Sequence, residues 1–138
     1  MFQVLQSGER ANMERFIPKQ DDVYAALEKA EKSPKKRKKS LELLTRDWPR
    51  LEKEMIDGIY LSWDALFSEM SDAGVDLKDA TFVSSVGKID ESGGFSHGDI
   101  DVQFEHDAVK YAFRILDAGK TPRGWLISRR GFSWLGRS

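Results

Sequence analysis

The stretch IDVQFEHDAVKYAFRI, residues 100–115, decides the fold. Apolar and polar residues alternate on both sides of Asp107-Ala108, and a period of two is typical of a half-buried strand. If His106 lies opposite Val109, the apolar pairs are Phe104–Tyr111, Val102–Phe113 and Ile100–Ile115. In the same register the charged pairs are Glu105–Lys110 and Asp101–Arg114. Apolar pairing and opposite-charge pairing therefore agree on one register, which predicts an antiparallel hairpin with one charged face.

The residues around this hairpin predict two further strands. Residues 81–89 and residues 125–128 are rich in β-formers. The segments 91–98 and 117–124 contain glycine and other turn formers, so we expect them to be loops. Residues 129–138 show no decisive pattern. The C-terminal half is therefore predicted to be a roughly four-stranded antiparallel meander.

The strongest helical signal runs from about residue 49 to residue 73. Its apolar stripe, at steps of three and four, consists of Leu51, Met55, Ile59, Trp63, Leu66 and Met70. Pro49 suits the first position of a helix and disfavours helical geometry at Trp48, so the helix should begin there. Gly74 suits the left-handed position that ends a helix.

The N-terminal third predicts shorter elements. Residues 22–32 have helical spacing, and Ser33-Pro34 is a second start signal. Residues 1–17 are expected to be a flexible or edge-docking arm, in which Phe2, Val4 and Leu5 could form a short strand. Helices followed by adjacent strands indicate an α+β fold, with N-terminal helices packed on the C-terminal meander. We expect residues 1–138 to form a single domain.

Composition narrows the chemistry. The chain has 138 residues, a net charge of −1, no cysteine and 2 histidines. The lack of cysteine excludes a disulfide scaffold, a thiolate zinc site and a cysteine nucleophile. No stretch approaches the ~18 apolar residues of a membrane span, so we expect a cytoplasmic protein. No motif predicts a catalytic residue, a metal or a cofactor.

A basic run offers one candidate site. It consists of Lys35, Lys36, Arg37, Lys38 and Lys39. Dense cations favour phosphate because binding releases counterions, so the run predicts nucleic-acid or polyanion binding. A solvated basic connection between two helices, or a targeting signal, would leave the same pattern.

The acidic side of the hairpin and the loop before it offer a second candidate. Its members are His97, Asp99, Asp101, Glu105 and Asp107. Alternate positions on a strand point the same way, so these groups could converge on a hard cation or flank a glycosidic bond. The register pairs Asp101 and Glu105 with cations, which favours ordinary exposed charge. The glycine-rich loop lacks both the phosphate-loop and the nucleophile-elbow patterns.

The C-terminal tail offers a third candidate. We predict a partner-binding surface formed by Arg129, Arg130, Phe132 and Trp134. Arginine and aromatic residues are enriched in protein interfaces, and they also stack on single-stranded bases. The alternative is that the tail aromatics complete the core.

From Trp48 to Gly131 the order of features resembles a group of small uncharacterised bacterial α+β domains, some of which occur near toxin–immunity genes. The residues that carry the resemblance are Asp117-Ala118-Gly119-Lys120 and Gly124-Trp125-Leu126-Ile127. The resemblance implies a binding role and assigns no functional residue.

These observations favour a non-enzymatic protein-interaction module, immunity-like in that it binds and neutralises a partner protein, and present as a monomer or weak homodimer. The alternative is nucleic-acid or polyanion binding through the basic run. A third hypothesis, an enzyme that uses His97 with Asp99 or Asp101, requires a concave site that contains those side chains.

Overall fold

The computed structural model describes residues 1–91 and 93–138. Three α-helices come first in the chain, α1 (Phe2–Ser7), α2 (Gln20–Ala30) and α3 (Pro34–Asp72), with 3₁₀ turns at Arg10–Phe16 and Leu77–Asp79. Five strands follow: β1 (Thr81–Asp90), β2 (His97–His106), β3 (Val109–Thr121), β4 (Gly124–Leu126) and β5 (Phe132–Arg137). The predicted α+β architecture, helices first and an antiparallel sheet last, is confirmed.

The sheet has the order β1-β2-β3, and β4 and β5 both pair with the far side of β3. The predicted hairpin register is confirmed in full: His106 lies opposite Val109, Phe104 opposite Tyr111, Val102 opposite Phe113, Ile100 opposite Ile115, Asp101 opposite Arg114 and Glu105 opposite Lys110. Asp107 and Ala108 make the turn with positive φ at both positions, as a two-residue hairpin turn of type I′ requires.

The long helix is longer than the sequence predicted. One continuous helix, α3, spans 39 residues and contains Pro49 in its interior, so the predicted start at Pro49 is wrong. Ser33 caps it, with its side chain accepting a hydrogen bond from the backbone N–H of Lys36. The true start signal is therefore Ser33-Pro34, and the basic run lies in the first turns of α3 rather than in a frayed connection.

The N-terminal segment packs against the rest of the chain. Its apolar residues are helical rather than extended, which corrects the predicted short strand, and Leu5 and Met13 are fully buried. Gln6 donates two hydrogen bonds, of 3.1 and 2.8 Å, to the carbonyls of Leu77 and Ala80. Burial and these bonds hold the segment beside the start of β1.

The core lies between α3 and the inner face of the sheet. Trp63 of α3 meets Phe132 of β5 edge-on at 6.3 Å, and Phe132 meets Phe113 of β3 in the same way. The backbone N–H of Phe132 donates to the Ser62 hydroxyl at 3.1 Å. The tail, which showed no decisive pattern in the sequence, therefore closes the core as a strand.

Two predicted loops are partly strand. Residues 117–121 continue β3, and residues 97–98 begin β2. Within residues 1–91 and 93–138, none of the helices combines the length and the apolarity that crossing a bilayer demands.

Candidate functional site

Strand β1 is an open edge of the sheet. It pairs with β2 along residues 81–90, and no other strand pairs with it in the described part of the chain. In an antiparallel edge strand, every second residue directs its N–H and C=O away from the neighbour. The free side of β1 therefore presents a row of backbone groups that can pair with an incoming strand.

Large apolar side chains on β1 face solvent. Val86 is 63% exposed, Phe82 is 48% exposed and Val83 is 39% exposed. Exposed apolar residues that occur singly are ordinary on protein surfaces, whereas several on one edge strand mark an interaction surface. We call residues 81–90 the β1 edge.

The β1 edge is only partly protected against pairing. A bulge between Phe82 and Ser84 interrupts the ladder near the start of the strand. Bulges and charged residues are the usual devices that keep edge strands from pairing. From Ser84 to Asp90 the register with β2 is regular, and Lys88 is the single cation of that stretch. These seven residues are long enough to pair with an extended peptide.

The four residues of the predicted tail surface differ in their exposure to solvent. Phe132 is 5% exposed and lies in the core, so it cannot contact a partner and that part of the prediction is wrong. Trp134 is half-buried and stacks on Tyr111 with ring centroids 5.8 Å apart. Arg129 and Arg130 are exposed, and Arg129 lies 3.7 Å from Glu54 on α3. The two arginines remain candidates for partner contacts.

The basic run is accessible. Lys35, Lys36, Lys38 and Lys39 are exposed, and Arg37 is half-buried. Across residues 1–91 and 93–138, no carboxylate forms an ion pair with any of the five cations. A helix turns by about 100° per residue, so Lys35 and Lys39 share one face, Lys36 and Lys38 flank it on either side, and Arg37 lies on the opposite side.

The acidic face does not converge on one site. Arg114 donates hydrogen bonds of 2.6 and 3.0 Å to Asp101, and these bonds hold the pKa of that carboxyl below its usual value. Glu105 lies opposite Lys110, and Asp107 is in the turn. No group of three or more possible metal ligands occurs among the residues that the structure describes.

His97 pairs with a residue that the sequence did not indicate. Its Nδ1 lies 2.8 Å from Oδ1 of Asp117, whereas Asp99 accepts the backbone N–H of Asp117 at 2.9 Å. Among the described residues, neither of the predicted partners Asp99 and Asp101 forms a hydrogen bond with the ring. The pairing follows from the extension of β3 to Thr121, which places Gly119 opposite His97.

Sequence reasoning missed both the β1 edge and the His97–Asp117 pair. The edge had a weak signal, since residues 81–89 carry one charge among several apolar residues. Its position at the margin of the sheet depends on which strands pair with which, and a pattern in one strand does not give that. Comparisons with protein-family models, with curated proteins and with solved structures yield no match for this chain.

Proposed function

We propose that this chain is a non-enzymatic protein-interaction module and that the β1 edge receives an extended segment of its partner. The observation that carries the proposal is the exposure of Phe82, Val83 and Val86 on a ten-residue strand at the margin of the sheet. The exposed Arg129 and Arg130 would be additional contacts for an acidic partner. In an immunity-like role, the module would neutralise its partner by pairing with one of the partner's strands.

Strand addition suits this surface physically. Backbone hydrogen bonds would supply much of the affinity, and the alternate side chains of β1 would supply specificity. Val86 would contact apolar residues of the partner, while Lys88 would favour an acidic neighbour. Residues 84–90 are the part of the strand in which the ladder is regular, so the contact should centre there.

Site-specific crosslinking would test the proposal. A photoreactive phenylalanine at position 86 should yield one dominant protein adduct in the native host. The same group at Leu61, which is 73% exposed on α3, serves as a matched control. The adduct identified by mass spectrometry would then be purified for binding measurements. Equal adduct patterns from the two positions would contradict the proposal.

Neighbouring proline substitutions would show whether the backbone of β1 takes part. At Ser85 and Val86, one N–H points toward β2 and the other away from it, because the direction alternates along a strand. The proline that removes the outward N–H should keep the fold and weaken binding of the purified partner at least about tenfold, the loss of one or two hydrogen bonds. Unchanged affinity in a folded variant would rule out strand addition.

A second candidate function is polyanion binding by the basic run. The specific observation in its favour is that these exposed cations have no carboxylate partner in the described chain and begin α3, whose N-terminus itself attracts anions. Because Lys35 and Lys39 share one face and Lys36 and Lys38 flank it, about three to four phosphates would be neutralised. The logarithm of the affinity should then fall with the logarithm of salt concentration with a slope of about −3.

Binding of a duplex DNA and of a single-stranded RNA, measured from about 50 to 200 mM salt, would test this candidate. The variant Lys35→Gln/Lys38→Gln/Lys39→Gln should lose the binding. A matched triple variant at Lys53, Lys78 and Lys110, which lie outside the run, should retain it. No binding of either nucleic acid at ~50 mM salt would exclude the candidate.

A further inference from the structure

A cavity of about 360 Å³ lies between α2 and the ends of β2, β3 and β4. Apolar side chains from both sides form most of its wall, namely Val23, Ala26, Phe95, Leu126 and Ile127. Its volume is at the lower end of the ~300–1,000 Å³ that small-molecule sites usually occupy. The cavity therefore suits a small, mainly apolar molecule.

The His97–Asp117 pair lies in the wall of this cavity. Asp117 holds its position through the bond from its backbone N–H to Asp99, and it adopts a left-handed φ of 48°. Such a conformation is uncommon for a residue with a side chain, although aspartate tolerates it better than most. The backbone is therefore locally strained at the residue that orients His97.

The pairing determines which nitrogen of His97 is available. A neutral imidazole beside a carboxylate donates from the nitrogen that faces the carboxylate, so Nδ1 carries the proton and Nε2 carries the lone pair. Among the described residues, the hydrogen bond of the His97 side chain is the one through Nδ1, and none involves Nε2. The side chain of His97 is 41% exposed, which leaves the ring accessible from the cavity mouth.

An aromatic wall supports the ring. Phe95 stacks on His97 with ring centroids 5.8 Å apart and planes 15° from parallel. Phe95 also packs on Gly119, where an added Cβ would lie 2.8 Å from the phenyl ring. Since any larger residue at position 119 would displace Phe95, the glycine keeps this wall closed.

We propose that this cavity is a binding site for a small aromatic molecule with one hydroxyl donor, which would hydrogen-bond to Nε2 of His97. The apolar wall would take the ring. The carboxylate of Asp117 makes the cavity unfavourable for anions, whereas the charge of Asp22 at the other side is compensated by Arg123. This proposal does not depend on the β1 edge, and it assigns a phenol-like ligand rather than a phosphate or a carboxylic acid.

Three probes of similar shape distinguish these chemistries: 4-methylphenol, toluene and 4-methylbenzoate. Each is titrated into the isotope-labelled full chain at pH 8, where free imidazole is neutral. We expect 4-methylphenol to shift the amide resonances of Gly119 and Ile127. Toluene should bind about fivefold more weakly, the effect of one hydrogen bond, and 4-methylbenzoate should bind most weakly of the three.

The variant His97→Phe keeps a ring on Phe95 but removes the acceptor, so it should bind 4-methylphenol and toluene equally. The ring ¹⁵N shift of His97 in the unmodified chain gives a second readout, since 4-methylphenol should move the Nε2 signal and leave Nδ1 protonated. Equal affinity of the unmodified chain for 4-methylphenol and toluene would overturn the proposal. So would an Nε2 signal that does not move at saturation, whether or not the variant folds.

Discussion

Arg123, in the turn between β3 and β4, holds Asp22 of α2 with two hydrogen bonds, although 101 positions separate the two residues. The distances are 2.6 Å from Nη2 to Oδ2 and 3.1 Å from Nε to Oδ1. The same guanidinium donates to the carbonyls of Arg15 and Ile17, each at 3.3 Å. One side chain therefore joins the N-terminal segment, the helix α2 and the sheet.

Removal of this guanidinium should loosen the N-terminal segment. We expect Arg123→Met to lower the free energy of unfolding by about 1–3 kcal/mol, because the Asp22 side chain is 10% exposed and would keep little access to water in exchange. Urea unfolding measures the change. Arg129→Met is the matched control, since Arg129 is 70% exposed and forms one 3.7 Å ion pair, so its loss should cost less than about 0.5 kcal/mol. Equal losses in the two variants would contradict the role of Arg123.

The same pair predicts a dependence of stability on pH. The hydrogen bonds from Arg123 lower the pKa of Asp22 in the folded chain. Between that lowered pKa and the ordinary value of about 3.9, the unfolded chain binds more protons than the folded chain, so stability rises with pH. The contribution is complete above about pH 5 and is lost as the pH falls through the folded-state pKa.

Chemical unfolding at pH values from about 5 to 2 would reveal this contribution. Asp22→Asn should flatten part of the slope, and Arg123→Met should flatten most of the same part because it removes the largest cause of the shift. The double variant should be no flatter than Asp22→Asn alone. A slope that Arg123→Met leaves unchanged would show that another group lowers the pKa of Asp22.

Gly131 of the tail lies close against α3. Its φ is 63°, and an added Cβ would lie 1.8 Å from the Ser62 hydroxyl. We expect Gly131→Ala to lower the free energy of unfolding by about 2–4 kcal/mol, through the left-handed conformation and the clash together. Gly8→Ala is a matched control because Gly8 has a similar φ of 69° in open space. If thermal unfolding shows equal losses, the contact with Ser62 contributes nothing.

The sequence predicted the hairpin residue by residue because two independent constraints, apolar pairing and charge pairing, chose the same register. Its prediction for α3 was less accurate, because the local preference of Pro49 was overridden. Ser33 caps the helix one residue before Pro34, and Met55 to Met70 pack in or against the core, so the intervening turns remain helical despite the proline. Local signals of this kind carry no information on how much packing will offset them.

The candidate sites were less predictable than the fold. The β1 edge depends on sheet order, and the His97–Asp117 pair depends on a strand that continues through a glycine-rich stretch predicted to be a loop. Phe132 was predicted to bind a partner and is instead buried, because an aromatic residue suited to an interface is equally suited to a core. Residue types predict the chemistry that is available, whereas exposure follows from contacts between distant parts of the chain.

The destabilising effect of Pro49 within α3 can be measured. Proline removes one hydrogen bond within α3 and crowds the carbonyl four residues earlier, so Pro49→Ala should raise the free energy of unfolding by about 1–2 kcal/mol after the gain in unfolded-chain entropy is subtracted. Pro49→Gly should give about 1 kcal/mol less than the alanine. Hydrogen exchange should slow for residues 46–50 in the alanine variant. A loss of stability in that variant would mean that α3 requires the proline.

The turn between β2 and β3 contains an avoidable strain. Ala108 adopts a φ of 62°, and Asp107 precedes it with a φ of 49°. Asp-Gly is a preferred sequence for this turn because glycine adopts a left-handed conformation at little cost. Ala108→Gly should therefore raise the free energy of unfolding by about 0.5–1 kcal/mol with no change in the urea m-value. Ala112→Gly, within β3, should instead lower it, because its backbone is extended and glycine only adds unfolded-state entropy there. If both glycines destabilise the chain, the strain at Ala108 is smaller than the entropy that glycine adds to the unfolded state.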